Sequence, residues 1–429
     1  MSTTPDDPIR VPLGDSTIPV EAPPGWRVSV AEPPQDTQAS PLPPLHVDPS
    51  LRDLTRGARN VVIAFTDATR ACPDGVLIPL LLDSLRQAGV PQDGVTLLCA
   101  VGMHRPISET EKVAKLGPDI VARYRVLSHD PTDTVSLGEY DGVPLQVNRL
   151  CAEADLLLAT GLVEPHQYAG WSGGGKTVAM GCAGADTIAA THSPRFVDDD
   201  TVRLGRLAGN AFQRIVRESA RRAGLQFAVN VGLDAAGEIV AIASGNPEDV
   251  HDSVVAHMSP LCEVPTNAPF DVIVAGVGQP KDVNLYQASR AATYVGLSQH
   301  RLLRPGGVII LPATCPEGAG MGVGEQNFLE SMSKVTEIDT ILSQLRRDGC
   351  RPGEQRTFIL GKVLLDHPVI VVGAQDPDVV RACHMTPAAD MAEAFRLAVE
   401  LLPTRDQPDV LVVPHATKTL PVPRRANAS

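Results

Sequence analysis

Short apolar segments alternate with longer amphipathic segments along most of this chain, and that alternation is the strongest constraint on its fold. The short segments are aliphatic or β-branched and are bounded by Gly, Pro or Asp, which is typical of buried strands. They cover residues 61–65, 95–101, 154–160, 271–277 and 308–312. The longer segments have apolar residues at helical spacing and cover residues 76–88, 200–223, 285–299 and 335–347. This order predicts an α/β fold with largely parallel sheets.

The length of the chain predicts two domains, because its 429 residues exceed the ~250–300 residues at which a single hydrophobic core stops growing. A stretch rich in Pro, Thr and Asn at 262–269 separates a helix from a strand. We therefore predict an N-terminal α/β domain at 1–265 and a C-terminal α/β domain at 266–429. The alternating segment 9–30 contains turn residues and is predicted to be a hairpin added to the first domain.

Charge and cysteine content argue against several function classes. The formal net charge is −13, which disfavours a nucleic-acid partner and an anionic membrane surface. The eight cysteines form no CxxC pair, so neither a zinc ribbon nor a thioredoxin-like site is predicted. The sequence has no signal-like N-terminal segment and no apolar run long enough for a bilayer, and we expect a cytoplasmic protein.

Two of the predicted strands are followed by side chains capable of binding or catalysis. Asp67, Thr69 and Arg70 follow the first strand, and such groups can bind ribose hydroxyls, phosphate or carboxylate. The alternative is a helix N-cap with a surface arginine. His104 follows the second strand and can act as a general base or be structural. Ligands bind at the carboxyl ends of strands in open α/β sheets, so these segments can converge.

A third segment, at 161–177, is rich in glycine. Its chemically capable residues are His166, Ser172, Gly173, Gly174 and Lys176. Glycines let a ligand approach backbone amides, which favour anions. Sixteen residues after the lysine comes His192, whose imidazole can serve as a metal ligand. Residues 170–177 also satisfy the P-loop pattern G-x-x-x-x-G-K-[ST], although their first glycine does not directly follow a predicted strand.

These segments, taken in order, resemble the motifs of the lactate racemase family. They read DxTR at 67–70, GxHRP at 102–106 and PHxxAGxSGGxK at 165–176, followed by His192. Residues 11–26 and 284–287 are also similar to that family, so the resemblance covers nearly the whole chain. It implies an isomerase that racemises or epimerises 2-hydroxy acids, with two α/β domains and an active site in the cleft between them.

The resemblance also implies a cofactor, the nickel-pincer nucleotide, pyridinium-3-thioamide-5-thiocarboxylic acid mononucleotide. Lys176 would carry it through a covalent thioamide link. His192 would be the fourth nickel ligand beside sulfur, carbon and sulfur of the cofactor, a set that suits square-planar nickel. The further cofactor contacts implied are Asp67, Thr69, Arg70, Ser172, Gly173 and Gly174.

The reaction implied by the resemblance is hydride transfer through a 2-keto intermediate, with His104 and His166 as the two proton-transfer bases. An unperturbed imidazole pKa of ~6.5 suits that task near neutral pH. The partners implied are a small anionic 2-hydroxy acid and the enzymes that build the cofactor. The substrate-binding residues implied are Arg70, Tyr286, Gln287 and Arg290.

The sequence departs from the family pattern at two positions. The family has an arginine before the loop lysine, where this chain has Gly175, and a lysine three residues after the Tyr-Gln pair, where it has Arg290. Glycine in place of a long cation opens space, and arginine can hold a carboxylate through two hydrogen bonds. We therefore predict a substrate larger than lactate, such as a sugar acid. The alternative is that both changes lie around the cofactor and leave the pocket lactate-sized.

Other functions remain compatible with these residues. The P-loop pattern at 170–177 leaves a phosphoryl-transfer enzyme open. The three histidines His104, His166 and His192 leave a zinc hydrolase open. A homologue that stores or senses the cofactor without catalysis is the third alternative. Nickel content and ATP turnover separate the phosphoryl-transfer enzyme from the racemase, and the identity of the bound metal decides on the zinc hydrolase. Catalytic competence of His104 and His166 would exclude the non-catalytic homologue.

Overall fold

The chain folds into two compact α/β units. The computed structural model describes residues 8–33, 48, 50–234, 236–403 and 407–424. The unit that we call the central unit comprises Asp36–His192 and Asp199–Pro260. The unit that we call the terminal unit comprises Met1–Gln35, Ser193–Asp198 and Leu261–Ser429. Each unit contains a six-stranded sheet flanked by helices, so the predicted α/β class is confirmed.

The sheet of the central unit is parallel except for one edge strand. Its strands, in spatial order, are Ile239–Gly245, Leu225–Leu233, Leu156–Leu162, Val61–Thr66, Val95–Ala100 and Arg125–Ser128. The strand Ile239–Gly245 runs antiparallel to its neighbour, and the others pair in parallel. Every residue of Val61–Thr66 is buried, as expected for a strand covered on both faces. Three of the strands predicted from apolar runs are therefore present in this sheet.

Two antiparallel pairs lie outside this sheet. They are Thr134–Tyr140 with Val143–Asn148, and Pro165–His166 with Gly170–Trp171. The helices of the central unit are Ser50–Leu54, Asp74–Gln87, Glu109–Leu116, Pro118–Arg123, Arg149–Ala152, Lys176–Ala179, Ala185–Thr191, Ala211–Arg222 and Pro247–Cys262, the last of which runs across the boundary between the units.

The helix predicted at 200–223 is half as long as expected. It forms only as Ala211–Arg222, and its N-cap Asn210 accepts a hydrogen bond from the amide of Gln213. Gly205 and Gly209 adopt φ values of 74° and 71°. Such left-handed residues cannot lie inside an α-helix, so the segment before Asn210 is made of turns.

The sheet of the terminal unit is entirely parallel. Its strands, in spatial order, are Thr386–Ala388, Val369–Val372, Leu303–Pro312, Phe270–Ala275, Asp409–Val413 and Arg27–Val30. A separate parallel pair joins Glu263–Thr266 to Leu420–Pro423. The helices are Pro194–Val197, Leu285–Gly296, Val323–Ser333, Ile338–Asp348, Glu354–Asp366, Pro377–Ala382 and Met391–Leu401. Among the described residues, no helix is both long and apolar enough to cross a membrane.

The N-terminal segment forms the predicted hairpin, but its assignment to the first domain is wrong. The strands Arg10–Leu13 and Ser16–Pro19 pair antiparallel, and the next strand, Arg27–Val30, pairs with Asp409–Val413 of the terminal unit. The Nε of Arg27 lies 2.7 Å from a carboxylate oxygen of Asp409. A single cut after residue 265 also did not foresee that Ser193–Asp198 belongs to the terminal unit.

Candidate active site

Loops that follow two neighbouring parallel strands bring Asp67 and His104 together. The Nδ1 atom of His104 lies 2.7 Å from Oδ2 of Asp67. The other oxygen of Asp67 accepts hydrogen bonds from the hydroxyl of Thr69 at 2.7 Å and from its amide at 3.1 Å. The carboxylate is buried, whereas the His104 side chain is 60% exposed. Asp67 and Thr69 thus fix the imidazole, a function that their motif alone did not reveal.

The carboxyl group of Asp67 is held in its ionised form. Burial by itself raises the pKa of Asp67, but the hydrogen bond to His104, the hydroxyl of Thr69 and the charge of Arg70 outweigh burial. The pKa therefore lies below its ordinary value, and the carboxylate is charged at neutral pH. A charged carboxylate can stabilise the imidazolium that forms when a histidine accepts a proton.

A buried ion pair supports the loop that carries Asp67. Asp74 is completely buried and accepts hydrogen bonds from the hydroxyls of Thr66 at 2.6 Å and Thr160 at 2.5 Å. The ammonium of Lys115 lies 3.1 Å from Asp74 and donates to the carbonyls of Arg70 and Cys72 at 2.8 and 2.9 Å. One cation therefore holds both the start of the helix Asp74–Gln87 and the preceding loop.

Removing that cation should destabilise the central unit. Lys115→Met leaves the buried charge of Asp74 uncompensated, so we expect a loss of ~3–5 kcal/mol in the free energy of unfolding. The measurement is urea unfolding followed by the fluorescence of Trp171 in a Trp26→Phe background, since the chain has two tryptophans.

The matched control for this variant is Arg86→Met on the helix Asp74–Gln87, where the side chains of Arg86 and its partner Asp83 are 69% and 65% exposed. An exposed pair contributes ~0–1 kcal/mol, so the control should unfold almost like the parent. If Lys115→Met lowered the free energy of unfolding no more than the control does, the ion pair would not support this loop as we infer.

The second histidine of the candidate pair lies in the small hairpin of the glycine-rich segment. His166 is buried, and its Nδ1 accepts hydrogen bonds from the amides of Tyr168 and Ala169, both at 3.2 Å. An ion pair of 3.0 Å between Arg70 and Glu164 joins this segment to the loop of Asp67. Glu164 was not foreseen, because an acidic residue between two motifs carries no signal of its partner.

The glycines of this segment are required by close packing. A Cβ atom at Gly173 would lie 2.5 Å from Oδ1 of Asn230, and one at Gly174 would lie 2.9 Å from the side chain of His251. Both glycines also have φ values in the left-handed region, 88° and 56°. The segment can therefore follow its path only with glycine at these positions.

Several polar groups predicted to contact the cofactor have protein partners. The hydroxyl of Ser172 donates to the carbonyl of Leu162 at 2.7 Å, and its amide donates to that of Glu164 at 2.9 Å. The amide of Gly174 donates to Oδ1 of Asn230 at 2.6 Å. A P-loop instead directs such amides at the ligand, so the geometry does not favour the phosphoryl-transfer alternative. The cofactor contacts of Ser172, Gly173 and Gly174 stay predictions.

His192 ends the helix Ala185–Thr191 and is prepared to act as a metal ligand. Its Nδ1 is 2.9 Å from the carbonyl oxygen of Ile188, so Nδ1 carries the hydrogen and Nε2 carries a lone pair. Burial, with a smaller contribution from the charge of Lys176, lowers the pKa of His192 to about 4. The imidazole is therefore neutral at neutral pH.

Aromatic contacts connect the two buried histidines. The ring centroid of Tyr168 lies 5.7 Å from that of His166 and 5.3 Å from that of His192, and the centroid of Phe212 lies 5.4 Å from that of His192.

In the described part of the chain, no group of three or more His, Cys, Asp or Glu side chains comes together as a metal site. A zinc hydrolase needs such a group, so the zinc alternative gains no support.

The remaining predicted substrate residues lie in the terminal unit, on the helix Leu285–Gly296. Asn284 caps this helix by accepting the amide hydrogen of Gln287 at 2.9 Å. The guanidinium of Arg290 donates to the side-chain oxygen of Gln287 at 2.9 Å, and the hydroxyl of Tyr286 accepts a hydrogen bond of 3.4 Å from Gln355. The roles of Tyr286, Gln287 and Arg290 in binding substrate stay predictions.

The packing around Gly175 does not support a pocket enlarged by this glycine, and its effect on the substrate stays a prediction. A Cβ atom at this position would lie 2.5 Å from Cβ of Ala220 and 3.5 Å from the carbonyl oxygen of Val216. It would therefore point at the helix Ala211–Arg222. A cavity of about 80 Å³, lined by Gln213 and Arg217 among others, lies on that side of Gly175. The case for a large substrate therefore rests mainly on Arg290.

The comparisons with known proteins agree with these motifs. Residues 14–205 match the family described as lactate racemase N-terminal domain, and residues 266–419 match the lactate racemase C-terminal domain. The chain belongs to the lactate racemase family. The lactate racemase of Thermoanaerobacterium thermosaccharolyticum is 33% identical over 357 residues, 82% of each chain. That of Lactiplantibacillus plantarum is 33% identical over 356 residues, covering 81% of this chain and 82% of the relative.

Solved structures extend the similarity to the whole fold. The lactate racemase apoprotein from T. thermosaccharolyticum superposes with a TM-score of 0.85 at 29% identity, covering 97% of this chain and 100% of that one. A structural-genomics protein from Thermotoga maritima has a TM-score of 0.66 at 18% identity over 87% of this chain and 97% of its own, a likeness of fold alone. As a member of the lactate racemase family, this chain is an isomerase of the racemase class.

Proposed function

We propose that the chain is a nickel-pincer-dependent racemase or epimerase of small 2-hydroxy acids. The observation that carries this proposal is the pair formed by Lys176 and His192. These two side chains offer an amino group and a neutral imidazole, and the imidazole donates from Nδ1 to the carbonyl of Ile188 and keeps a lone pair on Nε2. Such a donor set fits a cofactor that brings nickel together with its other ligands.

Two further observations support the proposal. The two curated relatives described above are both named lactate racemase, which supports a small hydroxy acid as substrate. Asp67 and His104 form a carboxylate–imidazole pair of the kind used for general base catalysis. Lys176 would carry the cofactor covalently, and the enzymes that build the cofactor would be needed to load it.

In this proposal, the bound cofactor would supply a hydride acceptor for the C2 hydrogen and a hydride donor to the 2-keto acid. The chain itself handles the proton of the substrate oxygen. His104 accepts the hydroxyl proton at Nε2, because its Nδ1 is engaged by Asp67. His166 is the other histidine of the pair and acts at the same oxygen. Arg70, Tyr286, Gln287 and Arg290 would bind the carboxylate and the remaining polar groups of the substrate.

The test is whether the protein, co-expressed with the cofactor-building enzymes, inverts the configuration at C2 of a 2-hydroxy acid. Enantiopure 2-hydroxy acids from lactate to a C6 aldonate are incubated in turn, and chiral separation shows which are converted. We expect inversion of at least one acid, nickel in the purified protein and no ATP turnover. We also expect the C2 hydrogen to be retained in D2O, because a transferred hydride does not exchange with solvent.

Deuterium at C2 would contradict hydride transfer and indicate abstraction of C2–H as a proton by a histidine. ATP turnover without nickel would instead support the phosphoryl-transfer alternative. The ratio of kcat/KM for lactate to that for the aldonate separates the two substrate classes: a preference for lactate above about tenfold, ~1.4 kcal/mol of transition-state stabilisation, would exclude a site built for sugar acids.

A further inference from the structure

The two histidines of the proposed pair have opposite hydrogen-bond partners at Nδ1. Nδ1 of His104 faces a carboxylate oxygen of Asp67 at 2.7 Å. Nδ1 of His166 faces two backbone N–H groups, those of Tyr168 and Ala169, each at 3.2 Å. A carboxylate can only accept a hydrogen bond and a backbone amide nitrogen can only donate one. The partners therefore dictate where each neutral imidazole carries its hydrogen.

At His104 the hydrogen must lie on Nδ1. The carboxyl group of Asp67 is ionised, because the hydrogen bonds from His104 and Thr69 outweigh its burial and lower its pKa. With Nδ1 donating to that carboxylate, the lone pair of the ring lies on Nε2. When Nε2 accepts a proton, the resulting imidazolium still donates from Nδ1 to Asp67 and is stabilised by its charge. His104 is thus arranged as a proton acceptor.

At His166 the hydrogen must lie on Nε2. The hairpin of Pro165–His166 with Gly170–Trp171 closes the chain back on itself, so that the amides of Tyr168 and Ala169 converge on Nδ1. Protonation of Nδ1 would place a third donor against these two and would break both bonds. The ring is also buried, at 6% exposure, where leaving two amides unpaired costs ~1–3 kcal/mol each. The doubly protonated imidazolium is disfavoured for the same reason.

We propose that in the resting enzyme His104 is the general base, whereas His166 is a neutral imidazole that donates a hydrogen bond from Nε2 to the substrate oxygen. This inference rests on the proposed function for the identity of the substrate group. A neutral imidazole can polarise a carbonyl and stabilise an alkoxide without transferring its hydrogen. The site is then ready for substrate that approaches with its hydroxyl at His104. To act as the base for the opposite enantiomer, His166 needs its lone pair on Nε2 and its hydrogen on Nδ1. The amides of Tyr168 and Ala169 must then move away from Nδ1.

Steady-state specificity cannot reveal this difference. A racemase interconverts enantiomers of equal free energy, so kcat/KM must be equal for the two hands by the Haldane relation. If one histidine accepts a proton more readily than the other, the difference appears only in the separate values of kcat and KM for each enantiomer. The hydrogen positions are therefore best measured directly on the rings.

The experiment is two-bond 1H–15N correlation NMR of the full chain labelled with 15N-histidine, purified without cofactor at pH ~7.5, about one unit above the ordinary histidine pKa. His104→Gln and His166→Gln assign the two signals among the eleven histidines. We expect the Nδ1–H tautomer at His104 and the Nε2–H tautomer at His166. Finding Nδ1–H or an imidazolium at His166, or the same tautomer at both rings, would overturn the inference.

Asp67→Asn is the matched variant for His104. Its amide can donate as well as accept, so the signal of His104 should lose its Nδ1–H preference while that of His166 stays unchanged. If His166→Gln does not fold, Tyr168→Phe is expected to shift the signals of His166 and His192, whose ring centroids lie 5.7 and 5.3 Å from that of Tyr168, and His192→Gln identifies which of the two belongs to His192. No turnover is needed, so a failure to racemise any acid would count against the proposed function and leave this result standing.

Discussion

Lys176→Ala, produced together with the cofactor-building enzymes, is expected to carry no adduct and to racemise no 2-hydroxy acid above background. The side chain starts the helix Lys176–Ala179, whose backbone is fixed by the amide of Lys176 donating to Gly173 at 3.1 Å and by the hydroxyl of Thr177 donating to Thr160 at 2.8 Å. The positive charge of Lys176 contributes to the lowered pKa of His192, so a group attached to Lys176 would lie near the His192 ring. Intact-mass spectrometry measures the adduct, and chiral chromatography measures turnover.

Lys176→Arg is the control that separates charge from covalent attachment. Arginine keeps the positive charge near His192, but its guanidinium remains protonated and does not form the proposed thioamide. We expect this variant to fold as the parent does and to remain without adduct. Fully active enzyme with an unmodified Lys176 would refute the covalent assignment. Activity in Lys176→Arg would show that the charge, rather than the bond, is what the reaction needs.

The sequence predicted the strands well because most of them are covered on both faces. A strand such as Val61–Thr66, buried at all six positions, needs a continuous apolar run that is visible without knowledge of its neighbours. The edge strand Arg27–Val30 is exposed at all four positions, so its sequence has no burial pattern that indicates the sheet to which it belongs. Its pairing with Asp409–Val413 depends on residues at the other end of the chain and could not be read locally.

The sequence predicted which residues form the candidate site better than it predicted what each of them does there. Each motif follows a strand or a turn that the sequence indicates, and the central unit brings Asp67 to His104 and Tyr168 to His192. The tautomer of a histidine depends on which atoms face its nitrogens, and a motif does not specify them. What a side chain at Gly175 would meet likewise depends on the packing of Ala220, which a comparison with the family motif does not specify.

His104→Asn is expected to lower kcat by ~10²–10⁴-fold, the range for losing a positioned acid–base group. Asparagine keeps a polar side chain of smaller size but offers no nitrogen that accepts a proton at neutral pH. Nickel content should stay near that of the parent, because His104 is paired with Asp67 and is not the proposed metal ligand. His166→Asn is expected to lose activity within the same range and also to keep its nickel.

His192→Asn is the comparison that gives these losses their meaning, since it should lose nickel together with activity. The measurements are kcat and KM for each hand of the substrate, with elemental analysis of every variant. Asp67→Asn should lower kcat without loss of nickel, because an amide facing Nδ1 can place the hydrogen of His104 on Nε2, the wrong tautomer for a base, as the same change does in serine protease triads. If His104→Asn loses its metal while His192→Asn retains it, the assignments of base and ligand must be exchanged.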